Sequence, residues 1–287
     1  MTNKSRIVFF GTPNFSAVIL QALIDHHLTP AAIVTVPDQS PESSTITQIA
    51  SKHSIPVLKP TKLKDPAFVA SLSAVGCTLI VVAAYGKIIP QTILDIPKYG
   101  SLNVHPSLLP KYRGATPMQA AILAGERQTG VTIILMDQEM DHGDIIAQTG
   151  APIALDETYQ SLSEKMAKAG ADLLIQTIPK HILSLTPQPQ DHSQATYTKP
   201  LTREDGFIDL NNPPDPAHFE RMVRAYYPWP GVYTRLRQGL DGQAKLIKFL
   251  PMKMIQLEGK QPMSVKAFLN GYPQYKPQFS RLYPTVL

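Results

Sequence analysis

A single cysteine in 287 residues leaves no internal disulfide and no cysteine-based metal site to consider. That residue, Cys77, lies in the apolar run VGCTLIVVAA, the setting of a small buried hydrophobe and not of a reactive thiol. Long apolar runs are also missing. The IVFFG stretch behind TNKSR is too short for a signal peptide and far too short to span a bilayer. Charged residues make up only 17%, against 43% hydrophobic ones, which is the ordinary globular range and excludes wholesale disorder. A soluble, cytoplasmic protein with no membrane contact is expected, and 31.6 kDa suggests about two domains.

The net charge of +5 is unevenly placed. Residues 205–287 hold eleven Lys and Arg against six Asp and Glu, while the rest of the chain holds sixteen of each. The whole excess therefore sits at the C-terminal end. Such a patch is either a solvated surface or a platform for a polyanion such as nucleic acid.

Apolar patterning gives the organisation. RIVFFG, AAIVTV, IPVLKP, CTLIVVAA, GSLNVH and TGVTIILMD read as strands, separated by helical periodicity in SAVILQALIDHH, ITQIASKHS and PMQAAILAG. This alternation implies an α/β fold with a doubly wound, mostly parallel sheet. A long amphipathic helix from QSLSEKM to PKHI closes a first domain at 1–186. Residues 187–204, rich in Pro, Ser, Thr and Gln, have the composition of a linker. Residues 205–287 then form a smaller β-rich domain, with a helix over AHFERMVRAYYPW and strands in GVYTRLR and QAKLIKFL.

Chemistry concentrates in SLNVHPSLLPKYRGATP. On a strand, Asn103 and His105 project to one side, and Pro106 ends the strand so that both sit at its carboxyl edge. In open α/β sheets that edge binds ligands. After TGVTIILMD comes the loop QEMDHGD, where Asp141 and Asp144 flank a glycine that permits a tight turn. If the two strands are neighbours, a carboxylate reaches the imidazole and favours its charged form. Asn, His and Asp together suit acyl transfer, supplying oxyanion donors and a proton acceptor. Mutual satisfaction of Asn103 and His105 without chemistry is the competing reading. Arg113 is either a surface ion-pair partner or a substrate-orienting residue, and Trp229 is expected to pack against the first domain.

GSLNVHPSLLPKYRGATPMQAAILAG with TGVTIILMDQEMDHGDIIAQ resembles the active-site core of the folate-dependent formyltransferases, whose motif is N-x-H-x-S-L-L-P with a downstream Asp. Further segments, RIVFFGTPNF, VAAYGKIIP, YTKPLTREDGFIDL and RAYYPWPGVYT, resemble the methionyl-tRNA formyltransferase family, so that most of residues 6–234 is covered. The resemblance implies Asn103, His105 and Asp141 as the catalytic trio. It implies folate contacts from Ser107, Leu108, Leu109 and Pro110, and a pterin pocket built largely from backbone around Val82, Ala83, Ala84, Tyr85, Gly86, Lys87 and Ile88. The implied co-substrate is 10-formyltetrahydrofolate, with no metal, and the implied partner is methionyl initiator tRNA, formylated by a monomer for translation initiation. The GTPNF turn does not spell the dinucleotide fingerprint, so NAD binding is not expected.

Two departures stand out. The family's basic, Gly-containing insertion after Pro37 and Asp38 is replaced by QSPESSTIT, without Lys or Arg, and the C-terminal domain looks truncated relative to a five-stranded OB-type barrel. They keep an amino-sugar nucleotide N-formyltransferase open as an alternative, and a non-catalytic folate- or nucleotide-binding module after it. A glycinamide ribonucleotide formyltransferase fits less well because it normally lacks a second domain. A formyltetrahydrofolate hydrolase usually carries an N-terminal regulatory domain.

Overall fold

The computed structural model describes residues 6–12, 14–37, 43–183, 186–237 and 244–284. Residues 38–42, within the non-basic stretch that follows Pro37, lie outside the described residues. The strand–helix alternation begins with β1 (Ile7–Gly11), α1 (Asn14–Asp25), β2 (Ala32–Val34), α2 (Ser43–Lys52), β3 (Val57–Leu58), α3 (Pro66–Val75), β4 (Leu79–Ala83), α4 (Gln91–Leu94) and β5 (Ser101–His105). It continues through β6 (Arg113–Gly114), α5 (Pro117–Ala124), β7 (Gln128–Leu135), β8 (Ile145–Pro152), α6 (Tyr159–Leu183) and β9 (Tyr197–Thr198). The C-terminal stretch supplies α7 (Pro216–Ala225), β10 (Val232–Arg237), β11 (Ala244–Leu250), β12 (Met254–Leu257), β13 (Met263–Ser264), α8 (Val265–Gly271) and α9 (Lys276–Leu282).

Seven strands form one sheet in the order β3-β2-β1-β4-β5-β7-β8. The first five run parallel, and β7 and β8 are antiparallel additions. β1 and β4 are buried along their whole length, as central strands covered on both faces must be. One face packs Val8, Phe10, Ile80, Val82, Ile89 and Ile93 into a continuous core. Cys77 belongs to this core, and burial pushes its thiol up to about 11.

Two elements of this sheet region escape apolar periodicity. β8 is an edge strand with only Ile146 buried, so its sequence IIAQTGAP carries little hydrophobic signal. The signals of α3 lie instead at its ends: Asp65 accepts from Ala67 N, Pro66 opens the first turn, and Gly76 closes it at φ 68°.

The chain divides into two units. The first comprises Met1–Pro117, Gln128–Pro152 and Ser163–Thr198, and the second Met118–Arg127, Ile153–Leu162 and Lys199–Leu287. Residues 187–198, part of the stretch with linker composition, are hydrogen-bonded into the first unit. Gln188 bridges Ile145, and β9 pairs with β6 through Arg113–Tyr197 and Gly114–Thr198. Polar composition fits this role because the segment lies along the surface and satisfies its backbone against a strand edge.

The second unit is built on an antiparallel sheet, β10-β11-β12-β13. Val232, Ile247, Phe249, Ile255 and Leu257 are buried on one face. Rings from α7, α8 and α9 cover that face: Phe219 meets Phe249 edge-on at 5.1 Å, Phe249 meets Phe279 at 5.8 Å, and Phe268 meets Phe279 at 5.4 Å. Each buried Phe contributes about 1.5–3 kcal/mol of hydrophobic stabilisation. Where a five-stranded barrel would close on itself, the described residues form an open four-stranded sheet whose apolar face the helices cover. The segments from earlier in the chain are tied in by Arg221 Nε to Leu123 O (2.9 Å) and by an Arg224 guanidinium nitrogen to Glu157 O (2.9 Å). Among the described residues no helix is long and apolar enough to cross a membrane.

Candidate active site

β5 carries Asn103 and His105 to the carboxyl edge of the sheet, with Ser107 N closing a turn onto His105 O at 2.9 Å. Its antiparallel partner β7 sets His105 opposite Thr132, and the chain leaving β7 returns as the loop that holds Asp141. That loop brings the carboxylate to both side chains. Asn103 Nδ2 donates to Asp141 Oδ1 at 3.2 Å, and His105 Nδ1 faces the same oxygen at 3.4 Å. The second carboxylate oxygen, Oδ2, accepts from Gly114 N at 2.7 Å.

His105 is buried, and its Nε2 lies 3.0 Å from Tyr112 O. Both ring nitrogens therefore face oxygen acceptors. A reacting oxygen could receive a proton from His105 only if one of these contacts is exchanged. Asn103 differs, because its amide carries two N–H groups and Asp141 accounts for one. Asp144, the other acid of the loop, is exposed, and its backbone carbonyl accepts from Leu135 N.

The conformation of the loop has specific causes. The left-handed residue is Asp141 itself, at φ 51°, and not the glycine. Gly143 is required for a different reason: a Cβ there would collide with Leu135 O. Gly114 combines both demands, with φ +107° and Thr198 O in the place of a Cβ.

Several supporting residues are invisible to local sequence patterns. Gln190 is buried and donates to Asp141 O (2.9 Å) and Gly143 O (2.7 Å), gripping the loop by two carbonyls. Its Oε1 accepts from Arg113 Nε (3.2 Å) and from an Arg113 terminal nitrogen (2.7 Å). Arg113 is thus neither a surface ion-pair residue nor an open substrate contact. It is 1% exposed and also reaches Tyr197 Oη and His192 Nδ1. His192 stacks on His142 at 4.1 Å, and His142 pairs with Asp137 at 2.6 Å. Trp229 is 57% exposed.

The segment Ser107, Leu108, Leu109, Pro110 is pinned rather than loose. Thr132 Oγ1 donates to Ser107 O (2.7 Å) and accepts from Leu109 N (3.1 Å), while Gln148 Nε2 donates to Leu109 O (3.0 Å) and Thr132 Oγ1 (2.8 Å). Ser107 Oγ donates to Lys111 O, so its hydroxyl serves the turn. On the other side of β5, Val82 is in register with Asn103, so the chain beyond Ala83 emerges beside the Asn103 edge. Thr12 Oγ1 and Ser16 Oγ hold that chain by donating to Ala84 O and Ala83 O. Ala84 takes φ 44°, Tyr85 turns into the core, and Gly86, Lys87 and Ile88 are exposed, Ile88 to 87%. An apolar side chain, backbone polar groups and a fixed turn thus border the Asn103 edge. This suits a flat heteroaromatic group with a hydrogen-bonding rim.

Residues 5–178 match the family model described as "Formyl transferase". A methionyl-tRNA formyltransferase from Roseiflexus sp. is 44% identical over 240 residues, covering 81% of this chain and 73% of the relative. The chain belongs to the methionyl-tRNA formyltransferase family. Similarity extends through both units, since the enzyme of that name from Citrifermentans bemidjiense is 36% identical over 303 residues, with 93% of each chain covered. A solved sugar N-formyltransferase from Shewanella shares the fold at TM-score 0.68 and 19% identity, covering 87% of this chain and 98% of its own.

Proposed function

We propose that the chain transfers the formyl group of 10-formyltetrahydrofolate to the amino group of methionyl initiator tRNA, acting as a cytoplasmic monomer in translation initiation. The convergence of Asn103 Nδ2 and His105 Nδ1 on one oxygen of Asp141 carries this reading. A pure binding module has no need of three such groups at one sheet edge.

The folate supplies an activated formyl group. Ser107, Leu108, Leu109 and Pro110 on one side, and Val82, Ala83, Ala84, Tyr85, Gly86, Lys87 and Ile88 on the other, would hold it beside Asn103. The free methionyl amine has a pKa no higher than that of an α-amino group, about 7.7–8.0, so a neutral fraction is present at cellular pH to attack the formyl carbon. Asn103 offers its second N–H to the formyl oxygen as negative charge grows there. One such donor is commonly worth about 3 kcal/mol in the transition state. His105 joins as a donor once Nε2 leaves Tyr112 O, an exchange of the kind that closes catalytic hydrogen bonds when substrate arrives. Asp141 orients both residues and would take up the proton lost by the amine, and that proton passes to folate N10 as the tetrahedral intermediate collapses, the bond between N10 and the formyl carbon breaks and tetrahydrofolate leaves.

The test is substrate choice. Purified protein with 10-formyltetrahydrofolate is offered methionyl initiator tRNA or an amino-sugar nucleotide, and the formylated product is identified. Formylation of the tRNA is expected. Formylation of the sugar alone would replace this reading, and folate binding without either product would remove catalysis.

A further inference from the structure

Gln190 lies in the stretch with linker composition, 49 residues from Asp141, whose carbonyl it holds. It is 4% exposed, and both ends of its amide are committed: Nε2 to Asp141 O and Gly143 O, and Oε1 to two nitrogens of Arg113. The two ends of a glutamine amide have nearly the same shape, so something must decide which of them meets the loop. Arg113 decides it. A guanidinium only donates, so the oxygen must face it and the NH2 group is left for the two carbonyls. Arg113 is itself fixed, bonded further to Tyr197 Oη and His192 Nδ1 and, through its backbone N–H, to Thr196 O at 2.8 Å.

The loop needs such a hold. Asp141 keeps φ 51°, a conformation that a residue with a side chain retains only where its surroundings enforce it. Its carboxylate meets Asn103, His105 and Gly114 N at once, so relaxation of the backbone at Asp141 would carry the carboxylate away from all three. We propose that Gln190 is a positioning residue for formyl transfer, holding the Asp141 carboxylate at Asn103 and His105 through the backbone of its loop, with Arg113 setting the direction of the amide. Gln190 touches no reacting atom. The inference rests on the proposed formyl transfer for its effect on rate, and not for the geometry of the loop.

One substitution separates the two duties of Gln190. Gln190→Glu keeps the shape and gives Arg113 a charged acceptor, so the arginine is held at least as firmly. Beside Arg113 the new carboxyl stays ionised, and its second oxygen faces Asp141 O and Gly143 O with no hydrogen to donate. Gln190→Met keeps about the same length and removes both duties.

The experiment compares wild type, Gln190→Glu, Gln190→Met, Asp141→Asn and Asp141→Asn/Gln190→Glu. Single-turnover formylation of methionyl initiator tRNA is measured at saturating 10-formyltetrahydrofolate, beside folate affinity and amide hydrogen exchange. The Gly114 N–H reports on the carboxylate it bonds, and the Arg113 N–H reports on the 187–198 segment. Gln190→Glu is expected to slow transfer about tenfold or more, with folate affinity within a few-fold. Exchange at Gly114 should quicken while the Arg113 N–H stays protected. In the Asp141→Asn background the same change should cost less than about twofold, because the carboxylate through which Gln190 acts is gone. In folded Gln190→Glu, wild-type transfer, wild-type protection of Gly114, or a loss that simply multiplies with that of Asp141→Asn would overturn the proposal. Loss of protection at Arg113 would overturn it too, since the whole segment would then have come loose. If Gln190→Glu does not fold, Gln190→Met is read for its transfer rate and its Gly114 exchange, and failure of both to fold would make Gln190 a purely structural residue. If the wild type fails to formylate tRNA but the Gly114 difference holds, the positioning of Asp141 stands and the substrate assignment falls.

Discussion

The two sheets of this molecule treat polar groups in opposite ways. At the carboxyl edge of the first, Asn103, His105, Asp141, Arg113 and Gln190 form a connected set, hydrogen-bonded to one another and to nearby backbone. On the open face of the second, Arg235 and Lys248 project to solvent beside a half-exposed Phe207. The first arrangement fixes geometry before a substrate arrives, which is what stabilisation of a transition state requires. The second leaves its cations uncommitted, which is what a long-range electrostatic partner requires. The expected consequences are that changes in the first set act on the chemical step, and changes on the second face act on salt-sensitive binding.

The sharpest way to break this contrast is at His105. His105→Ala is expected to lower kcat by two or more orders of magnitude with tRNA affinity and its salt dependence unaltered, read from steady-state kinetics beside a binding titration. A defect seen mainly in tRNA affinity would mean that the two regions are not separate in function.

A smaller effect is expected one layer out. Thr132→Val removes the hydroxyl that joins Ser107 O, Leu109 N and Gln148, leaving a buried N–H without its partner, at a cost of about 1–3 kcal/mol. The turn it holds is the proposed folate contact. KM for the folate should therefore rise several-fold while KM for tRNA stays put, and equal changes in both would detach the turn from folate binding.

The smallest effect concerns the core beneath the site. With burial pushing the Cys77 thiol up to about 11, roughly one thiol in a thousand is ionised at pH 8. A disulfide reagent such as Ellman's should label Cys77 only after urea unfolding, and formylation should survive the treatment. Rapid labelling of the native protein would show that the first unit opens far more readily than its packing implies.

How much of this was legible in the sequence follows from how local each feature is. Asn103 and His105 could be placed together because strand alternation and Pro106 act within a few residues. The amphipathic helices and the fully apolar β4 were equally plain. The residues offer Asp141 and Asp144 together and only if the two strands are neighbours, and resemblance singles out Asp141, since nothing local says that β5 and β7 pair antiparallel and bring residues 38 apart into contact. Gln190 and Arg113 stand 77 residues apart, and no periodicity encodes their hydrogen bonds. Arg113 reads either as a surface ion-pair partner or as a substrate-orienting residue, because charge is normally exposed, yet its buried guanidinium is satisfied by a glutamine, a tyrosine and a histidine. Residues 187–198 read as linker because pairing through a two-residue strand needs no hydrophobic pattern. Truncation near residue 205, an obvious way to separate the regions from sequence alone, is not a clean cut. Residues Met118–Arg127 and Ile153–Leu162 belong to the second unit, so single substitutions are the better instrument.

In the proposed function, one carboxylate, by holding Asn103 and His105, makes the sheet edge a formyl-transfer site. Asp141→Asn is nearly isosteric and addresses that claim alone. Single-turnover formylation of methionyl initiator tRNA should be measured with enzyme in excess and saturated with 10-formyltetrahydrofolate, alongside folate affinity and thermal stability. A rate at least about a hundredfold below wild type is expected, with folate affinity within a few-fold and the melting temperature little changed. A folded Asp141→Asn protein that transfers the formyl group within a few-fold of the wild-type rate would contradict it.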